Sequence, residues 1–144
     1  ATPTQWDALF GANARAPFFL AQAAAPHLRA TRGAIVNLVD IHGERPLQGH
    51  ALYGMSKAAL LYLTRALALE LAPEVRVNAV SPGAILWPDA GKDDAAKRAM
   101  LERTPLGRTG TPEEVAEAVR WLLRDATYTT GQVLRLDGGR MLEG

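Results

Sequence analysis

Two short runs constrain this chain more than anything else in it. Ala34-Ile35-Val36-Asn37-Leu38-Val39-Asp40 is nearly all apolar and β-branched with no alternation, and Arg76-Val77-Asn78-Ala79-Val80-Ser81, stopped by Pro82-Gly83, reads as a second buried strand. A strand with one wet face alternates; a strand covered on both faces reads as a continuous apolar run, as in a parallel sheet under helices. A third short strand is expected at Gln132 to Leu136. Between the runs lie helical stretches. Gln5 to Leu28 is rich in Ala, Leu and Phe, with Thr4 as its expected N-cap; Pro17 and Pro26 predict one bent helix or two short ones. Leu52 to Leu71 is the strongest helix signal. A short charged helix is expected near Asp93 to Arg103. Thr111-Pro112-Glu113-Glu114 opens another helix, with Thr as N-cap, Pro at the first position and acids in the first turn. Strand, helix, strand, helix, strand is the grammar of an α/β layer fold with right-handed crossovers. Three strands make a narrow sheet, and an edge strand would expose unpaired backbone groups. The sequence is therefore expected to be the second half of something larger: residues 1–144 as a single partial domain.

Composition removes whole classes of function. The 144 residues carry 16 basic and 15 acidic side chains, a net charge of +1, which offers no field for gripping nucleic acid or an acidic membrane. With no cysteine there is no disulfide, thiolate nucleophile or cysteine-based metal site, and His27, His42 and His50 lack metal-cluster spacing. No apolar run reaches the roughly 18–20 residues needed to span a bilayer. The opening residues resemble no signal peptide, so a cytoplasmic location is the expectation.

One helix carries candidate chemistry. Tyr53 and Lys57 stand at i and i+4, stacked on one face. A free phenol titrates near 10, and a nearby ammonium favours the phenolate, so Lys57 is expected to lower the Tyr53 pKa toward the range useful for proton transfer. The plainer reading is a solvated helix face. Asp40 ends one buried strand and Ser81-Pro82-Gly83 ends the next, at the carboxyl edge where open α/β sheets bind ligands. Asp40 could equally be a strand-end cap or an ion-pair partner. Trp6, Phe10, Phe18 and Phe19 read as packing. A Ser81/His50/Asp40 triad lacks the Gly-x-Ser-x-Gly elbow.

Together these features resemble the short-chain dehydrogenase/reductase family. Tyr53-x-x-x-Lys57 matches its catalytic helix, and Asn78-Ala79-Val80-Ser81-Pro82-Gly83 its strand end. Thr130-Gly131 through Asp137-Gly138-Gly139 matches its C-terminal motif. The resemblance implies the second half of a Rossmann-type doubly wound parallel sheet, with Tyr53 as general acid/base and Lys57 tuning it and bonding a nicotinamide ribose. It implies that Asn13 holds a proton-relay water. Ser81, Pro82, Gly83 and Ile85 would border the nicotinamide, and Leu86 and Trp87 the substrate. It also implies a homo-oligomer, a dimer or a tetramer.

One departure points further. The family normally has a serine where Asp40 stands, and a carboxylate cannot donate to a substrate carbonyl. Aspartate here, with Pro46-Leu47-Gln48-Gly49 and Gly83-Ala84-Ile85-Leu86-Trp87-Pro88, is similar to the pteridine and dihydromonapterin reductases. That likeness implies NADPH and a pterin, reduced with the help of Tyr53, Lys57 and Asp40. A carbonyl reductase of broader specificity and a catalytically silent binding or scaffold relative remain open. No glycine-rich phosphate loop occurs in the sequence, so tight dinucleotide binding and turnover by these 144 residues alone are not expected.

Overall fold

A computed structural model describes residues 1–85 and 94–142. Three parallel strands, β1 (Ala34–Leu38), β2 (Arg76–Pro82) and β3 (Val133–Leu136), form one sheet in the order β1-β2-β3. Ala34 pairs with Arg76 and Leu38 with Val80, while Ala79 pairs with Val133 and Pro82 with Leu136.

The helices divide between the two faces as the pleat of β2 dictates. Val77 and Ala79 point to one side, where α3 (Ala51–Glu70) buries Leu60, Leu61, Leu67 and Ala68 against them. Val80 points to the other side and meets Ala118 and Leu122 of α5 (Pro112–Arg124). β2 is thus buried on both faces, as its apolar run predicts, and Val77, Ala79 and Val80 are 0 % exposed. β1, with a similar run, is only half-buried, and Leu38 is 52 % exposed. The physical reason is position: β1 is an edge strand here, with a neighbour on one side only.

The crossovers correct a second expectation. β1 to β2 and β2 to β3 step in the same direction across the sheet, yet α3 and α5 lie on opposite faces. Two parallel connections of that kind have opposite hands, so one at most is right-handed. The connection from Gly83 to Thr111 is long enough to carry its helix round to the far face. It includes α4 (Asp94–Glu102).

The first helical stretch is continuous but not uniform. α1 (Pro3–Phe10) passes through a π-helical turn, Gly11–Arg15, into α2 (Ala16–Thr31). Pro17 has no N–H to continue the ladder, and the widened turn precedes it. The N-cap is Thr2, not Thr4: its hydroxyl accepts from Gln5 N at 3.2 Å, and the Gln5 side chain accepts from Thr2 N at 2.9 Å. Trp6 and Phe10 stack at 4.3 Å and Phe18 meets Phe19 edge-on at 5.3 Å; Trp6, Phe18 and Phe19 are 45, 44 and 55 % exposed, so this packing lies at the surface. Among the described residues no helix is long and apolar enough to cross a membrane, and no cluster could hold a metal ion.

Candidate active site

Chain direction alone brings the carboxyl ends of all three strands to one edge, and the candidate residues gather there. Asp40 follows β1 and caps the 3₁₀ turn Ile41–Gly43, its Oδ1 accepting from His42 N at 2.8 Å. Its other oxygen, Oδ2, accepts from the Tyr53 hydroxyl at 2.9 Å. The strand-end cap and the candidate catalytic group are therefore the same carboxylate, one oxygen for each task.

Two glycines make that bond possible. A Cβ on Gly54 would stand 2.9 Å from the His42 carbonyl oxygen, and one on Gly43 would stand 3.0 Å from the Lys57 carbonyl carbon. The turn after β1 thus lies directly on the backbone of α3, with no side chain between them, and Asp40 reaches the first turn of that helix. The signal available in the sequence is a glycine inside the Tyr53-x-x-x-Lys57 motif and another in the loop before it.

Lys57 is half-buried one turn along, and its Nζ donates to the Leu38 carbonyl at 3.0 Å, the last carbonyl of β1. The ammonium lies 6.0 Å from the centre of the Tyr53 ring. Asn13, in the π-helical turn, donates from Nδ2 to Ser56 Oγ at 3.0 Å, and Ser56 Oγ in turn donates to the Tyr53 carbonyl at 2.8 Å. Its amide thus meets the residue before Lys57 and ties the first helix to the Tyr53 turn. Ser56, fully buried at the crossing, is a positioning residue that the sequence pattern did not reveal.

Electrostatics overturn the expected direction of the Tyr53 shift. Its pKa is raised, not lowered: burial penalises the phenolate first, and the Asp40 charge and hydrogen bond add to it. Lys57 moves down because burial disfavours its ammonium, against an upward pull from Asp40. The lysine does not govern the phenol because the carboxylate is its hydrogen-bond partner and the ammonium is not.

Ser81, Pro82 and Gly83 end β2 beside this group. By strand alternation Ser81 faces α3 with Val77 and Ala79; it is 0 % exposed, and its Oγ has no hydrogen-bond partner. Gly83 packs against the turn after β3, where an added Cβ would stand 2.9 Å from Asp137 Cα. Ile85 follows, its side chain against Gly110, where an added Cβ would stand 2.6 Å from Ile85 Cδ1. Leu86 and Trp87 lie outside the described residues.

Comparison with known proteins is consistent along the whole chain. Residues 1–140 match the family model described as enoyl-(acyl carrier protein) reductase. The chain is 40% identical over 141 residues to a 3-oxoacyl-[acyl-carrier-protein] reductase of Thermotoga maritima, covering 95% of this chain and 57% of that protein. It is also 40% identical over 147 residues to pteridine reductase 1 of Leishmania tarentolae, covering 93% and 50%. Among solved structures, an acetoin dehydrogenase from Salmonella typhimurium superposes with a TM-score of 0.86 at 37% identity, covering 100% of this chain and 58% of that one. The chain thus spans a little over half the length of such relatives. Equal identity to a ketoacyl and to a pteridine reductase means that likeness does not single out a pterin.

Proposed function

The chain belongs to the short-chain dehydrogenase/reductase family, and on that premise we propose that it supplies the catalytic half of an NAD(P)H-dependent oxidoreductase. The observation that carries this reading is the Tyr53–Asp40 bond of 2.9 Å, with Lys57 on the same helix face one turn away. A nicotinamide cofactor, when bound, would supply the hydride.

The residues present fit one end of such a cofactor. Lys57 spends one of its three donors on Leu38, and the two others, with the Tyr53 hydroxyl, suit the hydroxyls of a ribose. The unpartnered, fully buried Ser81 hydroxyl at the end of β2 is a polar group still seeking a partner beside that position. The pyrophosphate end has no counterpart, since the sequence contains no glycine-rich loop. In this reading Tyr53 delivers the proton to the reduced substrate, Lys57 anchors the ribose, and Asn13 and Ser56 hold the Tyr53 turn in place.

Substrate class follows from Asp40. Its Oδ2 can accept but not donate while ionised, so a carbonyl oxygen set against it meets lone pairs, whereas an N–H finds an acceptor. An N–H that takes over Oδ2 also releases the Tyr53 hydroxyl, whose proton can then pass to a substrate nitrogen as hydride reaches the adjoining carbon. A pterin has both the N–H groups and the C=N bond, and NADPH is the expected donor. The likeness to ketoacyl reductase and acetoin dehydrogenase favours a second reading, a carbonyl reductase in which Asp40 stands in for serine.

The test follows NADPH consumption by the full-length protein with a dihydropterin and with simple ketones. Proton-transfer groups of this kind contribute about 10²–10⁴-fold. We expect pterin turnover that falls by that factor in Tyr53→Phe and drops clearly in Asp40→Ala. Turnover confined to ketones and unharmed by Asp40→Ser would move the assignment to the second reading. No turnover of either with NADPH or NADH would remove the oxidoreductase assignment altogether.

A further inference from the structure

Beyond the Tyr53 site, three arginines from three different connections meet at the same carboxyl edge. Arg45 lies in the loop after β1, Arg103 just past α4 in the connection after β2, and Arg140 in the turn after β3. Arg140 Nη1 donates to the Met100 carbonyl at 3.0 Å, which sets its guanidinium against the carboxyl end of α4, one turn from Arg103. Arg45 Nη1 donates to the Arg140 carbonyl at 3.4 Å. The charges are close enough to act on one another: Arg140 has its pKa lowered by burial first and then by Arg45 and Arg103.

Opposing charge is scarce among the described residues. Asp137 faces Arg140, but its two oxygens accept from Gly139 N at 3.0 Å and Met141 N at 2.8 Å. Glu44, beside Arg45 in sequence, is committed to Arg135. Arg103 has neither a hydrogen bond nor an ion pair among the described residues, and Arg140 keeps its Nε and Nη2 donors. Like charges held together at a half-buried edge raise each other's energy, and a bound anion relieves that cost.

We propose that Arg103 and Arg140, beside Arg45, form an anion-binding subsite at the carboxyl edge of the sheet that takes a phosphate or carboxylate group of a small ligand. Guanidinium forks match both oxyanions in plane and spacing. As the holder of a substrate's acidic end, the subsite rests on the oxidoreductase reading; as an anion site it does not.

The test is therefore made without turnover. Inorganic phosphate and, separately, acetate are titrated into the full-length protein by calorimetry at low ionic strength. Arg103→Gln, Arg103→Lys and Arg140→Gln are compared with the natural protein, and each variant's melting temperature is recorded. Arg103 is exposed, so its variants should melt with the parent. The expected result is saturable phosphate binding weakened about tenfold in Arg103→Gln and in Arg140→Gln and by less in Arg103→Lys, which keeps the charge and loses the fork. A stronger response to phosphate than to acetate assigns the site to phosphate esters, and the reverse to carboxylates; both support it. Absence of saturable binding, or binding in Arg103→Gln within twofold of the parent, overturns it. Either failure leaves the Tyr53 assignment untouched.

Discussion

Gly54 and Gly11 offer a matched pair of substitutions that isolates the contact on which the Tyr53–Asp40 bond depends. Both glycines are helical, and replacing a helical glycine with alanine should gain about 0.8–1.0 kcal/mol in each from propensity alone. Gly11 has φ −57° and ψ −51°, and an added Cβ there meets nothing within 4 Å. Gly11→Ala should therefore keep the whole gain. At Gly54 the added Cβ stands 2.9 Å from the His42 carbonyl oxygen, a backbone atom with no flexible end to swing aside. Overpacking of that kind costs about 1–3 kcal/mol. Gly54→Ala should then range from neutral to about 2 kcal/mol destabilised, the overlap cancelling or exceeding the helix gain. For a chain of this size, roughly 3–4 °C accompanies each kcal/mol, so the two variants should melt about 3–12 °C apart with Gly11→Ala the higher. Thermal melts followed by circular dichroism measure the difference. Because His42 N is also the donor to Asp40 Oδ1, Gly54→Ala should lower activity as well, with Tyr53 intact. If the two variants melt together, the turn is not pressed against α3 and the steric account of the site is wrong.

Two further outcomes follow from other contacts. Arg76 donates to the carbonyls of Leu122, Ala126 and Leu123 at 2.7, 2.8 and 2.9 Å, gathering the unpaired end of α5, so Arg76→Met should cost about 2 kcal/mol in urea unfolding. Arg76→Lys, lacking the fork, should recover less than half, and full recovery would refute that geometry. The raised Tyr53 pKa means the folded chain keeps a proton that the unfolded chain releases near 10, so stability should fall as pH rises past about 10. Lys57, with its pKa lowered in the fold, works the other way, adding stability as pH rises toward about 10.4. Tyr53→Phe removes only the first effect, so its alkaline loss, measured by urea unfolding between pH 9 and 11, should be shallower; a steeper loss would contradict the assigned direction.

The strands at Ala34–Asp40 and Arg76–Ser81 and the helix between them were legible, because runs of β-branched and apolar residues bounded by Gly and Pro leave a one-dimensional trace. The helix N-terminus at Thr111 was equally legible. The Thr-Pro pair with Glu114 three residues after Thr111 has its counterpart in Thr2-Pro3-Thr4-Gln5, yet the cap expected at Thr4 belongs to Thr2, because of the two only Thr2 has a glutamine three positions on. The exposure of β1 could not be read, since an edge strand differs from a central one by its neighbours and not by its residues. Nor could the opposite hands of the two crossovers, which depend on the face each helix reaches. At the site, spacing placed Tyr53 and Lys57 on one helix face, but the sign of the phenol's shift depended on Asp40 arriving at 2.9 Å, a fact of three dimensions.

The divided duty of the Asp40 carboxylate bears on how such a protein could change its substrate. A serine, the commoner residue at this place in the family, has one side-chain oxygen where aspartate has two. Its hydroxyl has two lone pairs and one donor, so it could serve His42 N and the phenol only if a single short side chain reached both from one atom. An exchange in either direction therefore touches backbone and chemistry at once, through the Ile41–Gly43 turn that Asp40 caps. Design that aims to redirect this site should alter the two together.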